Sequence, residues 1–366
     1  MTGLFQNLAG LTWQMIVMWA IGGAMIWLAI DRGMAPTLLL PMGFGCILCN
    51  LPDSGAAEVL ETLFRAGIAN ELFPLLLFIG IGAMIDFGPL LADPKLLLFG
   101  AAAQFGIFFT LSRASLLGFE LRDAASIAII GAADGPTSIF IANALGSRYT
   151  AAIIVAAYSY MALVPIVQPA CIRLVTTKRE RMIRMTYTPG QISRTTRILF
   201  PIVVTIIAGL VAPQSVALVG FLMFGNLLRE CGVLRALSEC AQNVLANLIS
   251  LLLGLTVAVR MQAESFLVPE TLMILALGLV AFVFDTFGGV FFAKLINLFA
   301  KKKINPMVGA AGISAFPMSS RVIAQMAKDE DPYNFILMQA AGANVAGQVA
   351  SVVAGGLILS MIAPLV

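Results

Sequence analysis

Long apolar runs separated by short polar segments repeat along most of this chain. A membrane-spanning helix needs about 20 mostly apolar residues, and runs near that length recur from the first 30 residues to the last 30. We therefore predict an all-α, polytopic membrane protein with about ten spanning helices and an amphipathic stretch at 54–70. The predicted spans are 11–30, 34–50, 72–91, 96–119, 150–172, 198–212, 214–228, 244–259, 271–299 and 335–364.

Two further apolar segments, 124–145 and 305–320, are interrupted by glycine, proline and hydroxyl side chains. Each follows two long apolar runs and precedes a helix that begins after a tyrosine, Tyr149 or Tyr333. This shared order predicts an internal duplication in which each broken segment is a re-entrant hairpin. The predicted units are N-terminal helices (1–50), a first repeat (51–172), a basic cytoplasmic loop (173–197), connecting helices (198–243) and a second repeat (244–366).

Composition supports the membrane interpretation and narrows the chemistry. Hydrophobic residues make up 60% of the 366 positions and charged residues only 11%, so a soluble enzyme is excluded. The chain has no histidine, which removes the commonest proton carrier near neutral pH and the commonest metal ligand. The CxxC pair Cys46 and Cys49 lies in an apolar run without a βαβ context, so we interpret it as packing rather than a redox site.

The distribution of charge predicts the orientation. Basic loops stay in the cytoplasm, and seven of the 22 basic residues fall within 173–197, with Lys301, Lys302 and Lys303 forming a second cluster. The stretch 51–71 is acidic and suits the outer side. If both broken segments re-enter, the first repeat starts outside and the second starts inside. The two repeats are then inverted relative to each other, and both chain termini lie outside. If the first segment spans the membrane instead, the inversion is lost. The N-terminal apolar run lacks a basic flank and a cleavage site, so we expect a retained helix.

Three acidic residues lie well inside apolar runs, and such carboxylates usually belong to an ion path or a proton relay. Asp134 has the most informative setting, because Gly135 and Pro136 prevent a regular helix after it, and Thr137 and Ser138 supply hydroxyl oxygens. Sodium is a hard cation that favours such oxygen ligands. The alternative is a carboxylate that only caps a helix end.

The other polar residues admit structural interpretations as well. Asp86 is expected at the membrane interface, and Asp285 either lies on an ion path or forms a helix–helix hydrogen bond or a pair with Arg321. Asn305 suits a helix cap, and Asn344 suits an interhelical hydrogen bond. Serine and glycine in the second broken segment are more often packing residues than ligands.

Three strings of the sequence resemble one family. They are GAADGPTS at 131–138, KINPMVGAAGISAFP at 303–317 and GANVAG at 342–347, and they closely resemble the β subunit of the sodium-pumping biotin-dependent decarboxylases that act on oxaloacetate, methylmalonyl-CoA or glutaconyl-CoA. The resemblance covers nearly the whole chain. It implies a membrane subunit that decarboxylates carboxybiotin and exports sodium.

The resemblance also implies roles for individual residues. Asp134 resembles the sodium-site aspartate of the family, and Tyr160 the tyrosine that assists it. Asn305, Gly309 and Ser314 resemble the second polar cluster, Arg321 a positive residue near the carboxybiotin path, and Asn344 the second-repeat asparagine. We expect Asp134, Asn305, Ser314 and Asn344 as sodium ligands, Tyr160 or Ser314 as proton relay, and Gly309, Thr137 and Ser138 in support.

The implied partners are other chains. No lysine has the Met-Lys-Met context of biotin attachment, so we expect a biotin carrier and carboxyltransferase subunit, a small γ-type membrane subunit, a homo-oligomer, lipid contacts in a bacterial inner membrane, and no nucleic acid. The basic loops suit docking of the carrier or simple positive-inside anchoring. The main alternative function is a sodium/proton antiporter without biotin chemistry; a purely structural anchor leaves Asp134 unexplained.

Overall fold

The computed structural model describes residues 10–33, 36–52, 54–186 and 192–365. About four fifths of the chain is helical, and the described residues contain no strand, which confirms the all-α class. Met34, Asp53 and residues 187–191 of the basic loop lie outside the described residues. The helices are α1 (Trp13–Asp31), α2 (Pro36–Cys49), α3 (Ala56–Gly67), α4 (Leu72–Met84), α5 (Gly88–Ala92), α6 (Leu97–Ala102), α7 (Phe105–Leu116), α8 (Leu121–Ala128), α9 (Gly135–Ala144), α10 (Thr150–Val175), α11 (Lys178–Arg181), α12 (Arg194–Val211), α13 (Val216–Glu230), α14 (Arg235–Cys240), α15 (Ala246–Val257), α16 (Ala263–Phe266), α17 (Pro269–Phe299), α18 (Pro306–Ala310), α19 (Met318–Glu330) and α20 (Leu337–Ile362).

Fewer than the predicted ten helices are long and apolar enough to span a membrane. Six helical stretches of the described chain are long and apolar enough to cross a membrane, or up to eight if two bent pairs are counted as single spans. The prediction of ten is therefore not confirmed. One reason is length, since the apolar helix α2 has only 14 residues, fewer than a bilayer usually requires.

Several predicted boundaries differ from the structure. α10 continues to Val175 and α12 already begins at Arg194, so the polar loop is shorter than 173–197. Within it a Thr177–Glu180 capping box supports α11. The predicted span 244–259 begins earlier in the structure, because a π turn joins α14 and α15 into one helical stretch, Arg235–Met261.

The first broken segment is a hairpin that returns to the side from which it enters. α8 continues as a 3-10 turn, Ile129–Ala132, and α9 follows after two non-helical residues. Both ends of this hairpin meet at Asp123, whose Oδ1 accepts hydrogen bonds from Ser147 Oγ at 2.7 Å and from the Arg148 backbone N–H at 3.0 Å. We call α8–α9 hairpin 1.

The second broken segment also returns. Its start and end are fastened to one carbonyl, because Asn305 and Asn334 donate to the Arg181 carbonyl oxygen at 2.8 and 3.0 Å. The returning arm α19 runs to Glu330 rather than ending at Ser320 as predicted. We call α18–α19 hairpin 2.

The long helix α17 shows that the hairpins enter from opposite sides. It has 31 residues and so extends about 46 Å. Leu275 near its start packs against the same buried cluster as Phe119 and Tyr149, which lie at the base of hairpin 1. Near its other end, Asn297 exchanges two 2.7 Å hydrogen bonds with Ile304, just before hairpin 2. The turns of the two hairpins meet in between.

A third broken element was not predicted. The stretch Pro94–Leu116 passes as one spanning segment, but its helices α6 and α7 are separated at Ala103 and Gln104. The turn of hairpin 2 packs against this region, since a side chain at Gly312 would meet the Phe99 carbonyl. Three interrupted backbones therefore lie side by side inside the bundle.

Candidate functional site

Asp134 lies at the turn of hairpin 1, where the chain passes from the 3-10 turn into α9. The preceding residue, Ala133, has φ 52°, a left-handed conformation that residues with a Cβ rarely adopt and that concentrates at functional sites. Asp134 is the N-cap of α9, and its Oδ1 accepts a 3.4 Å hydrogen bond from the Thr137 backbone N–H. The positive end of α9 therefore stabilises its carboxylate.

The other carboxylate oxygen of Asp134 is surrounded by donors from three elements. Asp134 Oδ2 accepts from Thr137 Oγ1 of α9 at 2.7 Å and from Ser314 Oγ of the hairpin 2 turn at 3.0 Å. It also accepts from Gln348 Nε2 and Ser351 Oγ of α20, at 2.9 and 3.0 Å. The two turns touch through their backbones as well, because the Ser314 N–H donates to the Ala132 carbonyl oxygen at 3.1 Å.

This cluster is closed to solvent and carries no compensating cation. The five side chains of Asp134 and its four donors are at most 3% exposed. Within the described chain, no lysine or arginine lies within ion-pair distance of Asp134. A buried carboxylate without a charged partner is unfavourable, so the site suits a bound cation or proton.

Two buried polar atoms beside the cluster, Asn344 Oδ1 and the Tyr158 hydroxyl oxygen, have no hydrogen-bond partner in the described chain. Asn344 is fully buried; its Nδ2 donates to the Ile313 carbonyl at 2.7 Å while its Oδ1 accepts nothing. The Tyr158 hydroxyl is also unpartnered, and its ring packs against Gly135, the residue after Asp134. Buried polar atoms are usually satisfied, so the Asn344 Oδ1 and the Tyr158 hydroxyl are suited to bind a cation or to exchange a proton.

The donor set fits a hard monovalent cation. Hydroxyl groups both donate and accept, so Ser314 and Ser351, whose Oγ atoms are 2.8 Å apart, can donate to an empty carboxylate or turn their lone pairs to an ion. The Gln348 amide has an oxygen as well as its donating nitrogen. Carboxylate, hydroxyl and amide oxygens together are typical ligands for hard ions.

The structure brings together only part of the residue set expected from the sequence. Asp134, Thr137 and Ser314 meet directly, and Asn344 reaches the residue next to Ser314. Ser138 lies in the same turn, but its hydroxyl donates to the Asp134 backbone carbonyl at 2.8 Å.

Four expected residues lie elsewhere. The Tyr160 hydroxyl donates to the Leu275 carbonyl of α17. Asn305 caps α18, and its side chain bonds the Arg181 and Ile183 carbonyls and the Met307 N–H. Gly309 makes a close backbone contact with Gly289 of α17. Arg321 is exposed on α19 and belongs to no ion pair of the described residues.

Asp86 and Asp285 also have definite places. Asp86 is 45% exposed and faces Arg197 and Arg229 at 3.8 Å, as expected for an interfacial charge. Asp285 is buried, and its partners are backbone N–H groups rather than Arg321. The two remaining interpretations of Asp285, a helix–helix hydrogen bond and an ion path, are taken up below.

Sequence reasoning missed Gln348, Ser351 and Tyr158. A signal for two of them existed, because Asn344, Gln348 and Ser351 are spaced i, i+4, i+7 and share one helix face. Tyr158 precedes Tyr160 by two residues, which turns it about 200° around the helix. Of the two tyrosines, Tyr158 is therefore the one that faces Asp134.

Comparison with known proteins gives a consistent result. Residues 14–362 match the family described as the Na⁺-transporting oxaloacetate decarboxylase β subunit. The chain is 47% identical to glutaconyl-CoA decarboxylase subunit β of Acidaminococcus fermentans, over 96% of this chain and 94% of the relative. It is 48% identical to methylmalonyl-CoA decarboxylase subunit β of Veillonella parvula, over 94% and 92%, and 39% identical to the oxaloacetate decarboxylase β chain of Haemophilus ducreyi, over 99% of both.

Proposed function

The chain belongs to the family of sodium-transporting oxaloacetate decarboxylase β subunits, and from this premise we propose that it couples carboxybiotin decarboxylation to sodium export through Asp134. It is a multi-pass membrane protein and the membrane subunit of a multi-subunit decarboxylase. The observation that carries the proposal is the convergence of four donor side chains on one buried Asp134 oxygen. The bacterial inner membrane is the proposed location.

The proposed sodium ligands are oxygens of Asp134, Ser314 and Asn344, joined by Thr137, Ser351 and Gln348. The unpartnered Oδ1 of Asn344 supports its inclusion. Asn305 is proposed instead to anchor hairpin 2, because its polar atoms are bonded to Arg181, Ile183 and Met307. Gly309 supports the site indirectly by allowing close packing of hairpin 2 on α17.

Sodium and a proton compete for Asp134 in this proposal. A carboxylate that binds a proton loses its charge and its affinity for a cation, so each displaces the other. Carboxybiotin is the substrate: breaking the bond between its carboxyl carbon and ureido nitrogen releases carbon dioxide, and the nitrogen takes up a proton. A proton displaced from Asp134 by sodium supplies that need, and sodium is then released to the outer side.

The proposed proton relay is Tyr158 or Ser314. The Tyr158 hydroxyl is buried beside the Asp134 turn and has no hydrogen-bond partner among the described residues, whereas the Tyr160 hydroxyl donates to α17. We propose Tyr160 as a support for the helix that carries Tyr158. Arg321, exposed on the returning arm of hairpin 2, is proposed to attract the carboxylate of carboxybiotin.

The carboxybiotin is proposed to arrive on a partner, a biotin carrier with its carboxyltransferase. A small γ-type membrane subunit and a second copy of this chain are further proposed partners. The exposed cations Arg173, Lys178 and Arg179 on the predicted cytoplasmic side suit docking of the carrier. Which acid is decarboxylated upstream is determined by the carboxyltransferase, not by this subunit.

Sodium uptake into inverted vesicles that contain the complex tests the proposal. Uptake is expected to require a carboxylated biotin donor, to be blocked by avidin, and to be lost in Asp134→Asn with the protein still folded. Uptake that avidin does not affect favours the antiporter instead. Sodium-dependent decarboxylation that survives in Asp134→Asn overturns the ion site.

A further inference from the structure

Asp285 is a fully buried carboxylate near the middle of α17. Its Oδ1 accepts hydrogen bonds from two consecutive backbone N–H groups, those of Gly106 and Ile107, the latter at 3.3 Å. These groups belong to the first turn of α7, at the break in the stretch Pro94–Leu116. Asp285 therefore caps a helix that begins at Phe105, and the Gly106 N–H that it accepts from lies 179 residues before it in sequence.

Asp285 satisfies backbone N–H groups at the start of α7 that have no local hydrogen-bond acceptor. The first N–H groups of a helix have no partner within that helix, and inside a bilayer no water satisfies them. The residue before α7 is Gln104, whose side chain bonds the Gly100 carbonyl behind it and makes no cap. A carboxylate at a helix N-terminus is favourable in charge as well as in hydrogen bonding, so Asp285 fixes where α7 begins.

The second oxygen of Asp285 lies against the turn that carries Asp134. Asp285 Oδ2 is buried and has no hydrogen-bond partner among the described residues. A methyl group on Gly131 would lie 2.8 Å from this oxygen and 2.7 Å from the Ala281 Cβ, closer than ordinary contacts. The glycine therefore lets the 3-10 turn of hairpin 1 rest directly on the carboxylate, three residues before Asp134.

One side chain thus contacts two interrupted backbones at once. On one side Asp285 holds α7, whose neighbour α6 packs against the hairpin 2 turn and α20, since side chains at Gly312 and Gly100 would meet Phe99 and Ala346. On the other side it supports the hairpin 1 turn. The donors to Asp134 come from the hairpin 1, hairpin 2 and α20 sides of this junction.

We propose that Asp285 is a positioning residue that sets the sodium affinity of Asp134. It does so by fixing the position of the hairpin 1 turn relative to the break in Pro94–Leu116. It does not touch the ion. The proposal deepens the proposed function and rests on sodium binding at Asp134. It assigns Asp285 a helix-to-helix hydrogen bond with a functional consequence and not a place on the ion path.

Sodium-dependent thermal stabilisation of the purified full-length subunit measures this effect, since a ligand that binds the folded state raises its stability. For Asp285→Ala we expect half-maximal stabilisation at about tenfold higher sodium, a typical effect of breaking a network next to a site. In the reconstituted complex, the sodium concentration for half-maximal decarboxylation is expected to rise equally, with kcat at saturating sodium within about twofold. Asp285→Asn keeps an oxygen acceptor for both N–H groups and is expected to stay within about threefold of the wild type.

Thr286→Val is the matched control, because Thr286 is equally buried on α17 but its hydroxyl bonds only the Phe282 carbonyl of the same helix. It is expected to keep the wild-type sodium dependence. If Asp285→Ala does not fold, Gly131→Ala serves as the second variant. Its methyl group would press on the Asp285 carboxylate from the hairpin 1 side, and the sodium affinity is expected to fall as in Asp285→Ala.

Three results distinguish the possibilities. Equal sodium affinity in Asp285→Ala and Thr286→Val overturns the inference about Asp285 but not the proposed function. An Asp285→Asn variant whose sodium affinity is as low as that of Asp285→Ala also overturns it, because the charge of Asp285 and not its capping hydrogen bonds would then account for the effect. A wild-type protein that sodium does not stabilise at all overturns the proposed function itself.

Discussion

Replacing Ser351 by alanine tests the ion site at a residue that the sequence alone did not single out. Ser351 is fully buried on α20, and its hydroxyl lies 3.0 Å from Asp134 Oδ2 and 2.8 Å from Ser314 Oγ. Alanine has nearly the same volume, so the substitution removes one oxygen and leaves almost no cavity. Its effect is therefore expected on ion binding more than on folding.

The magnitude follows from the difference between the sodium-bound and protonated states. An interaction of the hydroxyl with a charged partner contributes about 1.5–3 kcal/mol, and one with a neutral partner about 0.5–1.5 kcal/mol. Both states lose the hydroxyl in the variant, so the difference of about 1–1.5 kcal/mol is what changes the competition. Since 1.4 kcal/mol is a factor of ten, sodium affinity is expected to fall about five- to twelvefold.

The assay is the sodium dependence of decarboxylation by the reconstituted complex, with sodium-dependent thermal stabilisation of the subunit as a second readout. Ser360→Ala is the matched control. It removes a hydroxyl from the same helix, and among the described residues this hydroxyl bonds only the Gly356 carbonyl, at 2.9 Å. The half-saturating sodium concentration is expected to rise in Ser351→Ala and to stay unchanged in Ser360→Ala. The same value in both variants would refute the assignment of Ser351 to the site.

Three further expectations concern packing and anchoring. Gly347→Ala places a methyl group against the hairpin 2 backbone and is expected to cost about 1–3 kcal/mol of stability, whereas Gly23→Ala meets open space and should be neutral; thermal unfolding of both variants checks this. Asn305→Ala is expected to lower stability by about 1–3 kcal/mol, because it removes the N-cap of α18 and the hydrogen bonds to the partly buried Arg181 and Ile183 carbonyls, with sodium affinity within about threefold of the wild type; a loss of sodium binding at unchanged stability would make Asn305 a ligand after all. The Arg184 guanidinium holds the pKa of Asp331 below its usual 3.8, so their ion pair stabilises the fold above the unfolded-state pKa and is lost as pH falls through the lower folded value. Asp331→Asn should therefore lower the melting temperature near pH 7, and the difference should disappear once the pH is below the folded-state pKa of Asp331.

The hairpins and their central carboxylate could be predicted because their signals are local. Glycine and proline next to Asp134 interrupt a helix whatever surrounds them, and a carboxylate within an apolar run demands a partner. Charge asymmetry between loops gave an orientation in which Glu58 and Arg179 lie on opposite sides. In the structure α3 lies beside the base of hairpin 1 and α11 beside the base of hairpin 2, and these bases lie at opposite ends of α17; which end faces the cytoplasm stays a prediction.

The elements that could not be predicted depend on distant residues. The break before α7 has no proline, and it is supported by Asp285 from another helix, so its own sequence reads as one spanning run. Ser351 and Gln348 resemble ordinary small or polar packing residues of a membrane helix, and only their common face with Asn344 distinguishes them. Arg181 shows the same limit, because its carbonyl fastens both ends of hairpin 2 although the sequence presents it only as one more basic residue.

The absence of a charged partner for Asp134 within the described chain bears on why transport would be coupled at all. An empty, ionised carboxylate at this depth is unfavourable, although four donors and the start of α9 reduce that penalty. Sodium or a proton each brings one positive charge, so exchanging one for the other leaves the charge of the site unchanged. A lysine or arginine beside Asp134 would remove this constraint, because the site would then be neutral when empty and an ion could leave without replacement. If Asp134 is the ion site as proposed, the lack of a neighbouring cation in the described chain favours obligatory exchange, in which the proton consumed during decarboxylation leaves Asp134 only when sodium enters.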